Sequence, residues 1–209
     1  MSAGKLERPR AAHLGPDRRR PAVLDAALAI ATEDGARGVS MGAVAQRIGV
    51  TRPVVYACYT NRAELMTALL EREEQYLLAG VLAALPSGAP RNGGTQAVFV
   101  RGFQALLAVV AERPESWRFV FDPAPGADVA ERFARSRAVV AEQFARLIRP
   151  SLEHWGTTDV ERKLPVLVEL FMSSGEGAVR ALLHEGSSWT TEELGGFVGQ
   201  AVYRAVRGA

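Results

Sequence analysis

Two short stretches of the sequence hold residues that could do chemistry. The run "TRPVVYACYTNRAEL", residues 51–65, places Arg52 and Tyr56 four positions apart. A guanidinium can read the edge of a guanine base, and a phenol can reach a DNA phosphate. The run "GVSMG", residues 38–42, matches the G-x-S-x-G pattern of a hydrolase nucleophile. The two stretches therefore indicate two different classes, a nucleic-acid-binding protein and an enzyme that uses Ser40.

The residues around Ser40 favour a helix cap over a nucleophile. A nucleophile elbow needs a buried strand before the serine, whereas "ATEDGAR" before this serine is typical of a helix end followed by a turn. Serine is also a preferred N-cap residue. His13, His154 and His184 are scattered and match no metal-ligand spacing. We therefore expect a protein that is not an enzyme and has no metal and no cofactor, with a Ser40 hydrolase kept as the alternative.

Helical periodicity runs through nearly the whole chain and predicts an all-α fold. A first helix is expected from about Pro21 to Asp34, and a second, N-capped by Ser40, ends at Gly49. A third helix follows a Thr51 cap. A capping box at Asn61 and Glu64 begins a long helix that runs to about residue 85. Further helices are expected at about 95–112, 114–121, 127–148, 159–184 and 191–207, with capping signals at Thr158 and Thr190.

The second and third helices have the layout of a helix-turn-helix, in which the later helix enters the major groove of DNA. Val55 and Tyr59 are predicted to face inward on the third helix. The residues expected on its outward face are Arg52, Pro53, Tyr56 and Ala57. The restart of the chain at Asn61 places Arg62 at a helix N-terminus, where backbone phosphates bind. We therefore predict a DNA-reading surface.

Composition and charge are consistent with a cytoplasmic nucleic-acid-binding protein. The chain has 209 residues, a single cysteine and no apolar run long enough to span a membrane. Residues 1–62 hold 10 Lys or Arg against 5 Asp or Glu, and the remainder holds 15 against 18. A basic first third on an acidic body is typical of a DNA-binding module joined to a second domain. Cys58 near this face is either a redox-sensitive thiol or a small neutral residue.

The stretch from about Pro21 to Glu64 resembles the N-terminal domain of the TetR family of bacterial transcriptional regulators. The matching features are Ala26-Ala27, Gly35, Ser40, Val44-Ala45, Gly49-Val50-Thr51, Val55-Tyr56, Tyr59, Asn61-Arg62 and Glu64-Leu65. The resemblance covers about the first 70 residues. Beyond them only the general plan is similar, a helical body whose last two helices dimerise and whose middle helices surround a ligand.

The resemblance implies contacts to DNA residue by residue. Tyr56 and Arg62 would bind phosphates, and Arg52, Pro53, Val54 and Ala57 would lie near bases. Ser40 and Thr51, at the starts of their helices, complete the predicted DNA-binding set. Two departures from the family pattern stand out, since Ala57 replaces a frequent His and Tyr59 replaces the usual Phe. Base contacts are therefore expected to be fewer and more apolar, for example to thymine methyl groups.

These predicted elements divide the chain into three parts. Residues 1–20 are predicted to be a flexible basic arm, which either reaches DNA or only solubilises the protein. Residues 21–66 form the helix-turn-helix domain, continued by the connecting helix to about 85. Residues 86–209 form a helical effector-binding and dimerisation domain. The dimer interface is expected to include Gly175, Ala178, Leu182, Phe197, Gly199 and Val202, with ordinary packing inside one chain as the alternative.

Aromatic and apolar residues of the middle helices are the candidates for an effector cavity. The expected wall residues are Phe103, Leu107, Phe119, Phe121, Phe133, Phe144 and Phe171, although such residues are also common in any core. The sequence thus predicts a homodimeric repressor that a small lipophilic effector releases from a palindromic operator on double-stranded DNA. A DNA-binding regulator without a small-molecule ligand is the alternative.

Overall fold

Every regular element that the structure describes is helical. It is a computed structural model that describes residues 15–85, 94–120 and 127–209. These ranges contain the helices α1 (Pro16–Asp34), α2 (Met41–Arg47), α3 (Arg52–Tyr56), α4 (Arg62–Ala84), α5 (Thr95–Glu112), α6 (Pro114–Val120), α7 (Ala127–His154), α8 (Val160–Leu183) and α9 (Thr191–Arg207). A 3₁₀ turn, Ala36–Gly38, follows α1. The all-α prediction is confirmed.

The chain divides into two units, Met1–Leu69 and Leu70–Ala209. In the first unit α1 buries the face predicted for it, which consists of Leu24, Ala27, Leu28 and Ala31. Met41, Val44 and Ala45 of α2 are buried as well. This core holds α1, the 3₁₀ turn, α2 and α3 together around small aliphatic side chains.

The start of α1 corrects the sequence analysis. The helix begins at Pro16, not at about Pro21, so Arg18 and Arg20 belong to a helix rather than to a flexible arm. Pro16 occupies the first turn, where the missing N–H of a proline removes no helical hydrogen bond. The helix therefore begins at Pro16, and Pro21 lies inside it. Residues 1–14 of the predicted arm lie outside the described residues.

Side-chain caps fix the starts of α2 and α4. Ser40 Oγ accepts a hydrogen bond from the backbone N–H of Ala43 at 3.1 Å. Asn61 Oδ1 accepts from the backbone N–H of Glu64 at 2.9 Å. The returning bond of the predicted capping box is displaced by one residue, because the Glu64 carboxylate accepts from the backbone N–H of Thr60 at 2.6 Å. Hydrogen bonds from the hydroxyl group and the backbone N–H of Thr60 lower the pKa of Glu64.

Of the two later capping signals, one is right and one is wrong. Thr190 and Glu193 form a complete capping box at the start of α9. Thr158 does not cap α8, since the N-cap is Asp159, which has a left-handed backbone with φ 54°. Glu161, the expected reciprocal partner, forms an ion pair with an arginine of α7 instead.

Helix α7 is longer than its predicted end at residue 148. It continues through Pro150 to His154. Proline removes one helical hydrogen bond, but Ile148 and Leu152 on either side are 4% and 0% exposed. Burial of these two side chains offsets the loss, and the apolar face of α7 remains continuous.

Two glycines allow α9 to pack closely against α5 in the second unit. A Cβ atom on Gly195 would lie 2.7 Å from the Cα of Gln104. A Cβ on Gly199 would lie 2.6 Å from the Cα of Val100. Because these neighbours are backbone atoms, only glycine permits this separation of the two helices. No helix in the described ranges is long and apolar enough to cross a membrane.

Candidate nucleic-acid interface and apolar cavity

A tight turn sets the position of α3 relative to α2. Gly49 has φ 67°, a left-handed conformation that glycine adopts without the strain of a Cβ atom. The backbone N–H of Val50 donates to the carbonyl of Ala45 at 3.0 Å and closes the end of α2. Thr51 then occupies the N-cap position of α3, with no side-chain cap bond. This is the helix-turn-helix layout predicted from the sequence.

The two faces of α3 differ as predicted. Val55 is 0% exposed and Tyr59, just beyond the helix, is 3% exposed, so both anchor α3 to the core. Tyr56 is 50% exposed. The other predicted contact residues are also exposed, namely Thr51, Arg52, Pro53 and Ala57, with Val54 half-buried. The outer face thus presents one phenol, one guanidinium and small apolar groups together.

Arg52 lies against the start of α2. A Cβ atom placed on Gly42 would be 3.0 Å from both Nε and Nη2 of Arg52. The side chain is exposed, and among the described residues it forms no ion pair. Gly42 therefore provides the space in which this guanidinium rests beside the N-terminal turn of α2. Ser40, the cap of that turn, is exposed at the same end of α2.

Arg62 has a structural function that sequence reasoning missed. Its Nε donates to the backbone carbonyl of Val39 at 2.6 Å, and its Nη2 donates to that of Ala36 at 2.7 Å. These bonds tie the start of α4 to the connection between α1 and α2. A guanidinium has five N–H donors, so the predicted contact of Arg62 with a phosphate stays a prediction. No sequence signal identifies the two carbonyls, because backbone acceptors have no pattern in side-chain types.

The N-terminal part of α1 is fixed to the end of α3. The guanidinium of Arg20 lies over the ring of Tyr59, 5.3 Å from its centroid. The thiol of Cys58 donates to the backbone carbonyls of Val54 and Pro16 at 3.4 and 3.6 Å. Burial raises the pKa of Cys58, which lowers its thiolate fraction and its reactivity. The thiol therefore acts as a small packing group in this position.

The second unit contains an apolar cavity with a volume of about 170 Å³. Side chains from α4 to α8 line it. Phe103, Phe133, Phe144 and Phe171 of the predicted wall are among them. Phe144 and Phe171 are stacked with their ring centroids 3.7 Å apart, and Phe171 meets Phe103 edge to face at 5.5 Å.

Three predicted wall residues are not among those that line the cavity in this structure. Leu107, which is 0% exposed, and Phe119, which is 9% exposed, are buried in the core. Phe121 lies outside the described residues. Both Phe99 and Trp117 line the cavity although sequence reasoning did not select them. The sequence did contain a signal for Phe99, because Phe99 precedes Phe103 by one helical turn and therefore lies on the same face of α5.

Charged residues also line the cavity, and the sequence did not mark them. Arg132 and Arg137 of α7, Glu74 of α4 and Glu176 of α8 contribute to its wall. Each arginine pairs with glutamates from other helices. These pairs connect residues 32 to 61 positions apart, so no local spacing predicts them.

The residues expected at a dimer interface fall into two groups. Gly199, Val202 and Ala178 are buried inside the second unit of their own chain, with Gly199 against α5. Gly175 and Leu182 are half-buried, and Gly175 lines the cavity. Of these expected residues only Phe197, at 63% exposed, has its side chain exposed to solvent. Glycines indicate that a helix approaches closely, but not whether the neighbouring helix belongs to the same chain.

Fold and site together define the class, a helix-turn-helix unit joined to a helical unit that encloses an apolar cavity. The model of the family described as "Bacterial regulatory proteins, tetR family" matches residues 23–69. The "HTH-type transcriptional activator FasR" of Mycolicibacterium smegmatis is 27% identical over 106 residues, which are 51% of this chain and 47% of that protein. An HTH-type transcriptional regulator of Mycobacterium tuberculosis is 27% identical over 139 residues, 66% and 57% of the two chains. The chain thus spans about half the length of the curated relatives it matches.

Solved structures show the same fold. A TetR-like transcriptional regulator from a Rhodococcus species has a TM-score of 0.74 at 19% identity, covering 94% of this chain and 100% of that one. The fatty acid degradation regulator FadR from Bacillus halodurans has a TM-score of 0.63 at 11% identity, covering 88% and 94%. Residues 23–69 thus match the N-terminal domain of the TetR family of transcriptional regulators, the family that the sequence resembles. Members of this family are regulators and not enzymes, as the sequence analysis expected.

Proposed function

We propose that the chain is a homodimeric, cytoplasmic repressor that binds a pseudo-palindromic operator and is released by a small lipophilic effector. The observation that carries the DNA-binding part is the exposed face of α3. It presents Arg52 and Tyr56 to solvent while Val55 holds the helix to the core. A short helix with one basic and one phenolic side chain on a fixed outer face is suited to the major groove.

In this proposal the two reading side chains have different tasks. Arg52 reads a guanine, and Pro53, Val54 and Ala57 contact bases through apolar groups. Tyr56 and Arg62 bind phosphates, and the helix starts at Ser40 and Thr51 lie beside the DNA backbone. A base contact affects the preferred sequence, whereas a phosphate contact strengthens binding to every sequence alike.

Two substitutions test the interface. Arg52→Ala should cost about 1–3 kcal/mol on the preferred site and relax the base preference at one position in each half-site. Tyr56→Phe should weaken binding to preferred and random DNA by the same factor. Arg146→Ala, at an exposed arginine on α7, is the control and should leave DNA binding unchanged. If Arg52→Ala and Tyr56→Phe bind selected DNA like the control, α3 is not the reading helix.

The dimer interface is proposed on the exposed apolar side chains of α8 and α9. Val166, Leu170 and Phe197 are 68%, 39% and 63% exposed. Trp189, just before α9, stacks on Phe197 at 5.9 Å between ring centroids. Large apolar side chains that the fold leaves exposed are typical of a protein–protein contact. The proposal moves the interface from Gly199 to the side chains that the fold leaves uncovered.

A charge at the proposed interface should separate the two copies. Phe197→Glu should yield a monomer in analytical ultracentrifugation. Operator affinity should fall because the helix-turn-helix unit of one chain binds only one half-site. Val139→Glu is the matched control, since Val139 is 44% exposed on α7 and is not one of the proposed interface residues. A Phe197→Glu protein that remains a dimer at the wild-type concentration would rule out this face.

The effector site is proposed in the cavity of the second unit. A compound that binds the native state raises the melting temperature, and linkage requires that it lower operator affinity over the same concentration range. A compound that stabilises the protein but never weakens DNA binding would favour a regulator without an effector. A reporter gene under the operator gives the sign of regulation, and activation, the activity named for FasR, would contradict the repressor.

A further inference from the structure

The charged side chains of the cavity wall form two clusters, one around Arg132 and one around Arg137 of α7. Arg132 donates to Glu71 at 2.8 Å and to Glu74 at 3.3 Å. Ser136 donates to the other oxygen of Glu74 at 2.7 Å. Both oxygens of Glu74 are therefore occupied by groups of α7.

The second cluster leaves a carboxylate oxygen available. Arg137 Nε donates to Glu176 Oε1 at 2.7 Å, and Arg137 Nη2 donates to Glu169 Oε1 at 2.6 Å. The second oxygen of Glu176 accepts no hydrogen bond from the described residues. Glu176 lines the cavity and its side chain is 21% exposed, so this oxygen can be reached by a ligand.

The clusters carry more negative than positive charge. Four glutamates pair with two arginines among the described residues. The hydrogen bond that Arg137 donates lowers the pKa of Glu169, and the hydrogen bonds to Glu169 and Glu176 raise the pKa of Arg137. The two clusters together therefore hold two more carboxylates than guanidinium groups, and one of the extra carboxylates belongs to the cluster of Arg137, Glu169 and Glu176.

We propose that this cavity takes an apolar cation, a molecule with an aromatic body and one protonated amine, whose ammonium group binds Glu176. The proposal rests on the cavity being the effector site. It names the chemical class of the effector, which the lipophilic character of the wall does not define. An ammonium donates hydrogen bonds to the available carboxylate oxygen and neutralises part of the excess charge.

The aromatic side chains of the wall determine where the aromatic part of the ligand would bind. Phe171 lies five residues before Glu176 on α8, a separation of about 7.5 Å along the helix axis. Phe144 lies seven residues after Arg137 on α7, a separation of about 10 Å. The stacked pair of Phe144 and Phe171 is therefore within reach of an aromatic ring joined to the amine by a short alkyl chain.

An anionic ligand fits the same wall poorly. A carboxylate beside Glu176 would add a third unbalanced negative charge, and a bidentate contact with Arg137 would require displacing Glu176 or Glu169. Breaking such a charge-assisted bond costs more than an uncharged contact gains. A fatty carboxylate is therefore disfavoured, and a neutral compound of the same shape is intermediate.

Three compounds with one skeleton test the charge preference. Phenylbutylamine, phenylbutanol and phenylbutanoate differ only in the terminal group, and calorimetry on the full chain gives the affinity of each. We expect phenylbutylamine to bind about tenfold to a hundredfold more tightly than phenylbutanol, the range of a charge-assisted hydrogen bond. Phenylbutanoate should bind more weakly than both.

Two variants identify the residue responsible. Glu176→Gln should remove the preference for phenylbutylamine over phenylbutanol. Glu169→Gln removes the same charge from the same arginine but lies outside the cavity wall, so most of the preference should remain. If both variants reduce the preference equally, the preference comes from the net charge of the cluster and the contact with Glu176 is refuted. If Glu176→Gln fails to fold by circular dichroism, the ranking of the three compounds on the wild-type chain decides alone.

The outcomes separate this inference from the proposed function. If the three compounds bind equally, or phenylbutanoate binds most tightly, and operator DNA is still released, the effector site stands and the cation is refuted. If none of the three binds while operator binding is intact, both the effector site and the cation are refuted. Binding of phenylbutylamine that Glu176→Gln weakens and that releases operator DNA supports both.

Discussion

Alanine at two glycines of α9 should change the stability of the protein in opposite directions. Gly196 and Gly199 lie three residues apart in one helix, so both substitutions gain the same intrinsic helix propensity. A Cβ atom on Gly196 would have one neighbour, the side-chain nitrogen of Gln104 at 4.0 Å. A Cβ on Gly199 would lie 2.6 Å from the Cα of Val100 and 2.9 Å from the carbonyl oxygen of Phe99.

The expected magnitudes follow from these distances. Gly→Ala inside a helix gains about 1 kcal/mol, and at Gly196 nothing opposes this gain. At Gly199 the new methyl group overlaps backbone atoms of α5, and overpacking of this kind costs about 1–3 kcal/mol. Backbone atoms cannot move away by changing rotamer as a side chain can, so the upper end of the overpacking cost applies. After the gain in helix propensity is subtracted, the net loss of unfolding free energy is about 2 kcal/mol. For a chain of this size the changes correspond to about 2–4 °C per kcal/mol in melting temperature.

Urea unfolding and thermal melts at one fixed protein concentration measure both variants. Gly196→Ala should raise the unfolding midpoint and Gly199→Ala should lower it. The fixed concentration matters because dimer stability depends on it. Two variants that shift the midpoint in the same direction by the same amount would refute the close packing of α9 on α5.

Three further expectations concern single side chains. Ser116→Ala removes the 2.6 Å hydrogen bond to the fully buried Glu73 and should cost about 1.5–3 kcal/mol in urea unfolding; an unchanged midpoint would show that the carboxylate is satisfied by other groups. Cys58 should react with iodoacetamide much more slowly in the native chain than in urea at about pH 8, because burial raises its pKa, and equal rates would contradict its burial. Ser40→Ala should cost about 1 kcal/mol of stability through the lost cap, while an esterase activity that disappears with Ser40→Ala would return the hydrolase to consideration.

Local sequence signals predicted the helix-turn-helix unit well. The caps at Ser40 and Asn61, the left-handed glycine at position 49 and the inward Val55 are all decided by a few neighbouring residues. The exposed face of α3 follows from the same spacing, because a helix that buries Val55 must present Tyr56 on another side. Contacts between distant residues were not predictable in this way. Arg62 binds two backbone carbonyls 23 and 26 positions away, and backbone acceptors leave no trace in the sequence.

The second unit shows where small and aromatic residues are ambiguous. Gly199 correctly predicted a close helix contact, but its partner is α5 of the same chain. Phe103, Phe144 and Phe171 line the cavity, whereas Phe119, a residue of the same type, is part of the core. Residue type indicates burial, and only the three-dimensional arrangement decides whether a buried side chain faces another side chain or an empty space.

Selection from random-sequence DNA, followed by footprinting of the best site, tests the central claim most directly. Under the proposed function we expect an enriched sequence with two-fold symmetry and protected half-sites about one helical turn or slightly more apart, each site bound by two chains. Arg52→Ala should change the base preferred at one symmetric pair of positions. Enrichment of no sequence, or of an asymmetric site bound by one chain and indifferent to Arg52 and Tyr56, would contradict it.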